Sequence, residues 1–234
     1  MIVGVRNVKW WARDYAYAAK RQLRALTSRS RPGRFQTGDR CPVVIIPGIY
    51  ETWRFLQPLI IRVHDAGHPV YVVDKLAWNI KSVPDAARHV ADLIAEECLT
   101  GVVLLTHSKG GLIGKFVMIG HDVDSRIAGM IAVAVPFAGS SYAKYMLPPN
   151  LRSFAASNEH ITELNENTET NSRIASIFAR FDPHIPEGSA LPGARNIEID
   201  TGGHFRLLAD RRVVEAVMTV LAGYGQPHDR TSAK

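Results

Sequence analysis

Cysteine, apolar runs of membrane-spanning length and internal repeats are what this sequence lacks, and each lack closes off a class of protein. Cys41 and Cys98 are the two cysteines, too few for a disulfide framework, so a pair of reduced thiols in a cytosolic protein is expected. No uninterrupted apolar run approaches the ~20 residues needed to cross a bilayer. The opening Met-Ile-Val-Gly-Val-Arg-Asn-Val-Lys-Trp has no long apolar stretch ahead of a small-residue cleavage site and does not read as a signal peptide. With no repeat and no low-complexity tract, 234 residues suit one domain with a substantial core.

What the sequence has in excess is positive charge, +6 in all, and its placement matters more than its size. Residues 1–40 hold ten basic side chains against Asp14 and Asp39, a local balance of +8 that leaves the rest of the chain at −2. A nearly neutral body argues against nucleic acid as a partner, and any anionic partner would be met by the N-terminal segment. There Val8, Trp11, Ala12, Tyr15, Ala19, Leu23 and Leu26 recur at the spacing of one helical face, with Arg6, Lys9, Arg13, Lys20 and Arg24 off that stripe. Such a helix suits the headgroup layer of an anionic membrane, peripheral on its surface, or docking of the apolar face on the body or on a second subunit. Ser, Pro, Gly and Arg in quick succession across 27–39 read as a linker.

From Cys41 the pattern changes to short, continuous, β-branched runs separated by helical stretches. Strands are expected at 43–46, 70–73, 102–105, 127–135, 174–181 and 196–199, and helices at 53–66, 84–97, 110–119 and 213–221. Strands that are apolar throughout, alternating with helices, imply an α/β fold: a mostly parallel sheet with helices on both faces. The domain organisation that follows is a basic amphipathic helix and linker over 1–40, an α/β domain over 41–223, and a flexible tail over 224–234. Within the domain, 139–173 is the longest break in the rhythm and a candidate cap.

Chemistry concentrates at Thr106-His107-Ser108-Lys109-Gly110-Gly111, between a buried strand and a helix. A serine hydroxyl is a poor nucleophile unless a base takes its proton and donors await the oxyanion. A sharp strand-to-helix turn lifts the serine above the sheet and needs small neighbours two positions away. Gly110 supplies one. Thr106 stands where the commonest form of the motif has glycine, and is expected to crowd the turn.

Four stretches resemble the α/β-hydrolase superfamily, and within it small bacterial lipases and esterases. Val-Ile-Ile-Pro-Gly-Ile-Tyr (44–50) is similar to the family's first loop, with Pro47 in the usual place of a histidine. His-Ser-Lys-Gly-Gly (107–111) resembles the nucleophile elbow, Ala-Val-Pro-Phe-Ala-Gly-Ser (134–140) a stretch after the next strand, and Gly-Gly-His-Phe-Arg-Leu-Leu (202–208) the histidine loop. The resemblance spans 43 to about 222. It implies Ser108 as nucleophile, His204 as base and Asp182 as the acid that orients the base, with Asp200 as the alternative acid. It further implies the backbone N–H groups of Lys109 and Ile49 as oxyanion donors, a serine esterase or lipase acting through an acyl-enzyme, and no metal or cofactor. An apolar or lipid-like ester is the expected substrate, with Tyr142, Tyr145, Met146, Leu147, Leu151 and Phe154 as candidate walls of an acyl pocket. A thioesterase or acyltransferase would use the same residues, and a catalytically silent, membrane-associated binding module could keep the same fold.

Overall fold

The computed structural model describes residues 5–122, 124–145, 148–152 and 154–224. Six strands, β1 (Val43–Ile46), β2 (Val70–Val72), β3 (Val102–His107), β4 (Ile127–Val133), β5 (Ile174–Phe181) and β6 (Arg195–Gly202), form one sheet in the order β2-β1-β3-β4-β5-β6. Every pairing is parallel. The central strands are buried on both faces, every residue of β1 and β3 included, which is why they read as unbroken apolar runs.

Around the sheet lie α1 (Val5–Thr27), α2 (Gln57–Asp65), α3 (Val83–Glu96), α4 (Lys109–Gly120), the short α5 (Pro149–Arg152), α6 (Glu159–Glu166) and α7 (Arg211–Ala222). Alternate strand residues feed two cores. Val44, Ile46, Leu104 and Met130 pack under α3 and α4, while Val43, Ile45, Val103 and Leu105 face Leu59, Val63, Val213 and Val217 of α2 and α7. α3 starts as its sequence dictates: the Ser82 hydroxyl accepts the Asp85 amide, and a proline occupies the first turn. The segment before β1 is tied down, since Phe35 is buried against Trp53 and His64. Among the described residues no helix is long and apolar enough to cross a membrane. Residues 225–234, the bulk of the expected flexible tail, lie outside the described residues.

α1 lies against the body, but not by the stripe that its sequence advertises. The face turned inward carries Trp10, Asp14, Arg21 and Ala25, with Asp14 fully buried. Val8, Trp11, Tyr15, Leu23 and Leu26 stay between 43% and 64% exposed. The reason is polar. Arg21 donates to the carbonyl oxygens of Arg54 (2.7 Å) and Phe55 (3.0 Å), and Gln22 donates to the Tyr50 carbonyl at 2.9 Å. Backbone carbonyls of the body that accept from Arg21 and Gln22 thus engage the polar row of the helix.

Candidate active site

Three strands deliver three side chains to one edge. In a parallel α/β sheet the carboxyl ends of the strands share that edge, and ligands bind there. Ser108 follows β3, Asp182 follows β5 and His204 follows β6. The pairing of Phe181 with Gly202 makes Asp182 and His204 leave neighbouring strand ends almost together. Ser108 Oγ lies 2.9 Å from His204 Nε2, and His204 Nδ1 lies 2.8 Å from Asp182 Oδ2. The other carboxylate oxygen of Asp182 accepts the amides of His184 (2.8 Å) and Ile185 (3.2 Å). Asp200, the alternative acid, is elsewhere: its side chain is exposed and pairs with Arg180 at 3.1 Å.

Ser108 sits at φ 50° and ψ −124°, a conformation that costs a non-glycine residue about 1–3 kcal/mol. Three glycines make it possible by close approach. A Cβ on Gly110 would lie 2.1 Å from the Ile46 carbonyl oxygen, one on Gly111 2.2 Å from Val135, and one on Gly114 2.6 Å from the Met130 sulfur and 3.2 Å from the Thr106 methyl. The crowding expected from Thr106 is therefore relieved one helical turn on, where Gly114 leaves room for the threonine. The amide of Lys109 opens α4, where helical N–H groups have no intrahelical acceptor, and Ile49 lines the cavity in front of Ser108.

The loop carrying Ile49 is held from several sides. Asn79 donates to the Pro47 carbonyl at 2.6 Å, and the Gly48 amide donates to Glu51 Oε2 at 2.8 Å. The same Glu51 oxygen lies 2.9 Å from Nδ1 of His107. His107 is wholly buried beneath the elbow, and its Nε2 faces the His204 carbonyl oxygen at 3.3 Å. Lys109 turns its side chain away from the cavity, donating to the carbonyls of Asn79 and Lys81, and burial pulls its ammonium down to about 8.

Burial pulls the His204 imidazole down, but the charge and hydrogen bond of Asp182, with Asp14 and Glu51 behind them, outweigh it and hold the ring above its ordinary value. Burial pushes the Asp182 carboxyl up, yet the His204 charge and the bonds it accepts bring it below the usual range. His184, 4.9 Å from the His204 ring, is lowered to about 4 by burial and by the neighbouring His204. It is a neutral wall at neutral pH.

In front of Ser108 opens a cavity of about 600 Å³. Of the expected acyl walls, Tyr142, Leu151 and Phe154 line it; Tyr145 is 76% exposed and does not, and Met146 and Leu147 lie outside the described residues. A further wall comes from α1, through Trp11, Tyr15, Ala18, Ala19 and Gln22. That wall was not anticipated, nor were Asp14, Glu51 and His184 as members of the site. No capping or motif rule finds them, because the contacts that bring them into the site, Asp14 with the His204 amide, Glu51 with His107 and the His184 ring with that of His204, form only across the fold. His64 and His68 are four residues apart, but α2 ends between them at Asp65, and His68 Nδ1 meets the Cys41 carbonyl oxygen at 2.9 Å.

No protein-family model matches the sequence, and no curated protein is significantly similar to it. Solved structures are similar in shape. The mature form of a Bacillus licheniformis lipase superposes with a TM-score of 0.62 at 16% identity, over 82% of this chain and 99% of that one. The ydeN gene product of Bacillus subtilis gives 0.58 at 22%, over 79% and 98%. A structure from the study of the metagenome-derived lipolytic enzymes LipS and LipT gives 0.59 at 14%, over 80% and 96%. At such identities the likeness is one of architecture, and the chain has the α/β-hydrolase fold.

Proposed function

We propose that this protein is a serine carboxylic-ester hydrolase acting on apolar or lipid-like esters. The observation that carries the reading is the unbroken line Ser108 Oγ, His204 Nε2, His204 Nδ1, Asp182 Oδ2, with links of 2.9 and 2.8 Å, opening onto a cavity with largely apolar walls. Ser108 attacks the ester carbon while His204 takes its proton; the amides of Lys109 and Ile49 receive the oxyanion. The tetrahedral intermediate collapses as His204 returns the proton to the leaving alcohol, and the acyl-enzyme remains. Water, deprotonated by His204, then releases the acid and regenerates Ser108. Asp182 keeps the imidazole in the tautomer with Nε2 free to accept. A thiol leaving group or an alcohol acceptor would turn the same machinery to thioester hydrolysis or acyl transfer.

Incubation with a fluorophosphonate, followed by intact mass and peptide mapping, tests the reading. One adduct on Ser108, absent from Ser108→Ala, is expected; an unlabelled wild-type protein is a silent binding module instead.

A second reading, of an anionic membrane as partner, rests on the outer face of α1. Val8, Leu23 and Leu26 are exposed, and Lys9, Arg13, Lys20 and Arg24 are exposed on the adjoining face, an arrangement suited to a headgroup layer. Flotation with anionic vesicles is expected to be salt-sensitive and lost in Leu23→Ser/Leu26→Ser, with turnover of a soluble ester retained. Self-association that the same pair of substitutions abolishes would assign the face to a second subunit.

A further inference from the structure

Asp14 is a buried charge that the proposed reaction does not use. It comes from α1, outside the resemblance, and both amides it accepts belong to the loop of the base. Its Oδ1 takes the N–H of His204 at 2.9 Å and the N–H of Arg206 at 2.8 Å. The chain is pressed against it: Gly203 has φ +126°, and a Cβ there would lie 2.6 Å from Asp14 Oδ1. One turn earlier, Trp10 lies so close to Gly202 that a Cβ would come within 2.3 Å of the indole. Burying a carboxylate is costly, and tight packing alone would be met by an apolar side chain. Two charge-assisted bonds to amides two residues apart on one loop offset part of that cost and fix where the loop runs.

We infer that Asp14 is a positioning residue for His204, setting both the placement and the electrostatic environment of the base from a helix 190 residues away in the sequence. The inference rests on the reading of His204 as base. The imidazole is faced by Asp182 and His184 from beyond β5, by His107 of β3, by Glu51 from the loop after β1, by Ser108 and by Asp14. Of the three carboxylates, Asp182 bonds the ring, Glu51 bonds His107 and Gly48, and Asp14 alone holds the His204 backbone. Removing the Asp14 charge while keeping its acceptor should therefore lower the proton affinity of the ring without freeing the loop. Removing both should also let Nε2 drift from Ser108.

Asp14→Asn and Asp14→Ala in the full chain separate the two roles. On a soluble short-chain ester, Asp14→Ala is expected to lose about 10²-fold in kcat with little change in KM, as a misplaced base does. Asp14→Asn is expected to stay within about tenfold of wild type, since a neutral acceptor makes a weaker bond of the same geometry, and to shift its acidic limb to lower pH. An NMR titration of the His204 ring gives the second readout without turnover, with a lower midpoint expected in Asp14→Asn. An Asp14→Ala protein that folds with wild-type kcat and pH profile overturns the inference. So does an Asp14→Asn protein whose His204 midpoint equals that of wild type, and this measurement decides the matter if Asp14→Ala does not fold. A wild-type protein that neither labels at Ser108 nor cleaves esters sinks the hydrolase reading by itself, while the His204 titration still tests Asp14.

Discussion

The serine elbow and helix α1 both line one cavity, and they reach it by different means. The elbow is local: strand β3, Ser108 and α4 are consecutive, and the glycines that let the turn close lie within six residues of the serine. α1 is remote: it meets the backbones of the Ile49 and His204 loops through Gln22, Arg21 and Asp14. The elbow's geometry follows from steric limits that any sequence must obey at that turn. The helix's orientation follows from which backbone amides and carbonyls its polar side chains can bond, a matter that only the folded body decides. A short motif therefore marks where chemistry would occur, while the elements that hold it in place leave little local signature.

The comparison breaks most sharply at the elbow itself. Ser108→Ala and His204→Ala are each expected to cut ester turnover by about 10⁴–10⁶-fold, and the double variant little further, because such residues act as a unit. Retention of a third of the activity by Ser108→Ala would remove the elbow from the chemistry altogether.

Next comes the acid. Asp182→Asn is expected to lower kcat by about 10⁴-fold, whereas Asp200→Asn, an exposed surface change, should leave it nearly intact; kinetics at one pH rank the two. Because His204 is held above its ordinary value, the wild-type rate should start to fall above pH ~6.5 as the solution is acidified, the charged ring being unable to accept the serine proton. A limb centred below ~6 would mean that burial outweighs the carboxylates.

On the remote side the effects shrink and change kind. Arg21→Ala removes the guanidinium donor to the Arg54 and Phe55 carbonyls and should destabilise by about 1–3 kcal/mol, lowering the melting temperature by several degrees, with a smaller loss in kcat than any elbow variant. Smallest of all, Ala19→Phe should fill part of the cavity and shift preference toward shorter acyl chains by a few-fold, read from kcat/KM across an ester series. An unchanged preference would mean that acyl chains run along the Phe154 wall instead.

The strands show why one side was legible and the other was not. β1 falls where its unbroken apolar run places it, because a strand covered on both faces needs every residue apolar, and β5 falls over the expected span although Ser176 and Arg180 interrupt its apolar residues. β3 runs on through Thr106 and His107, and β6 through Gly202, since neighbouring strands offer partners there that the sequence pattern does not announce. The spacing of hydrophobic residues located α1 and the row of Trp11, Tyr15 and Ala19 that lines the cavity, but not the polar row that holds the helix to the body. Periodicity counts apolar side chains and is blind to the value of Asp14 and Arg21 against loop backbone. Ser108 and His204 could be singled out by the stretches around them; Glu51 and Asp14 could not, since the His107 ring and the His204 amide that tie them to the site are brought up only once the chain has folded.

The bond between Asp14 and the His204 amide also sets an order of events. It closes a loop of 190 residues, and contacts so far apart along the chain are slow to form, because chain entropy must be given up before they return anything. During synthesis α1 emerges long before the loop it will hold, and its Asp14 must wait in water with no partner. Competence would thus arrive last, after the sheet and its helices are in place, when the two ends of the molecule meet over the elbow.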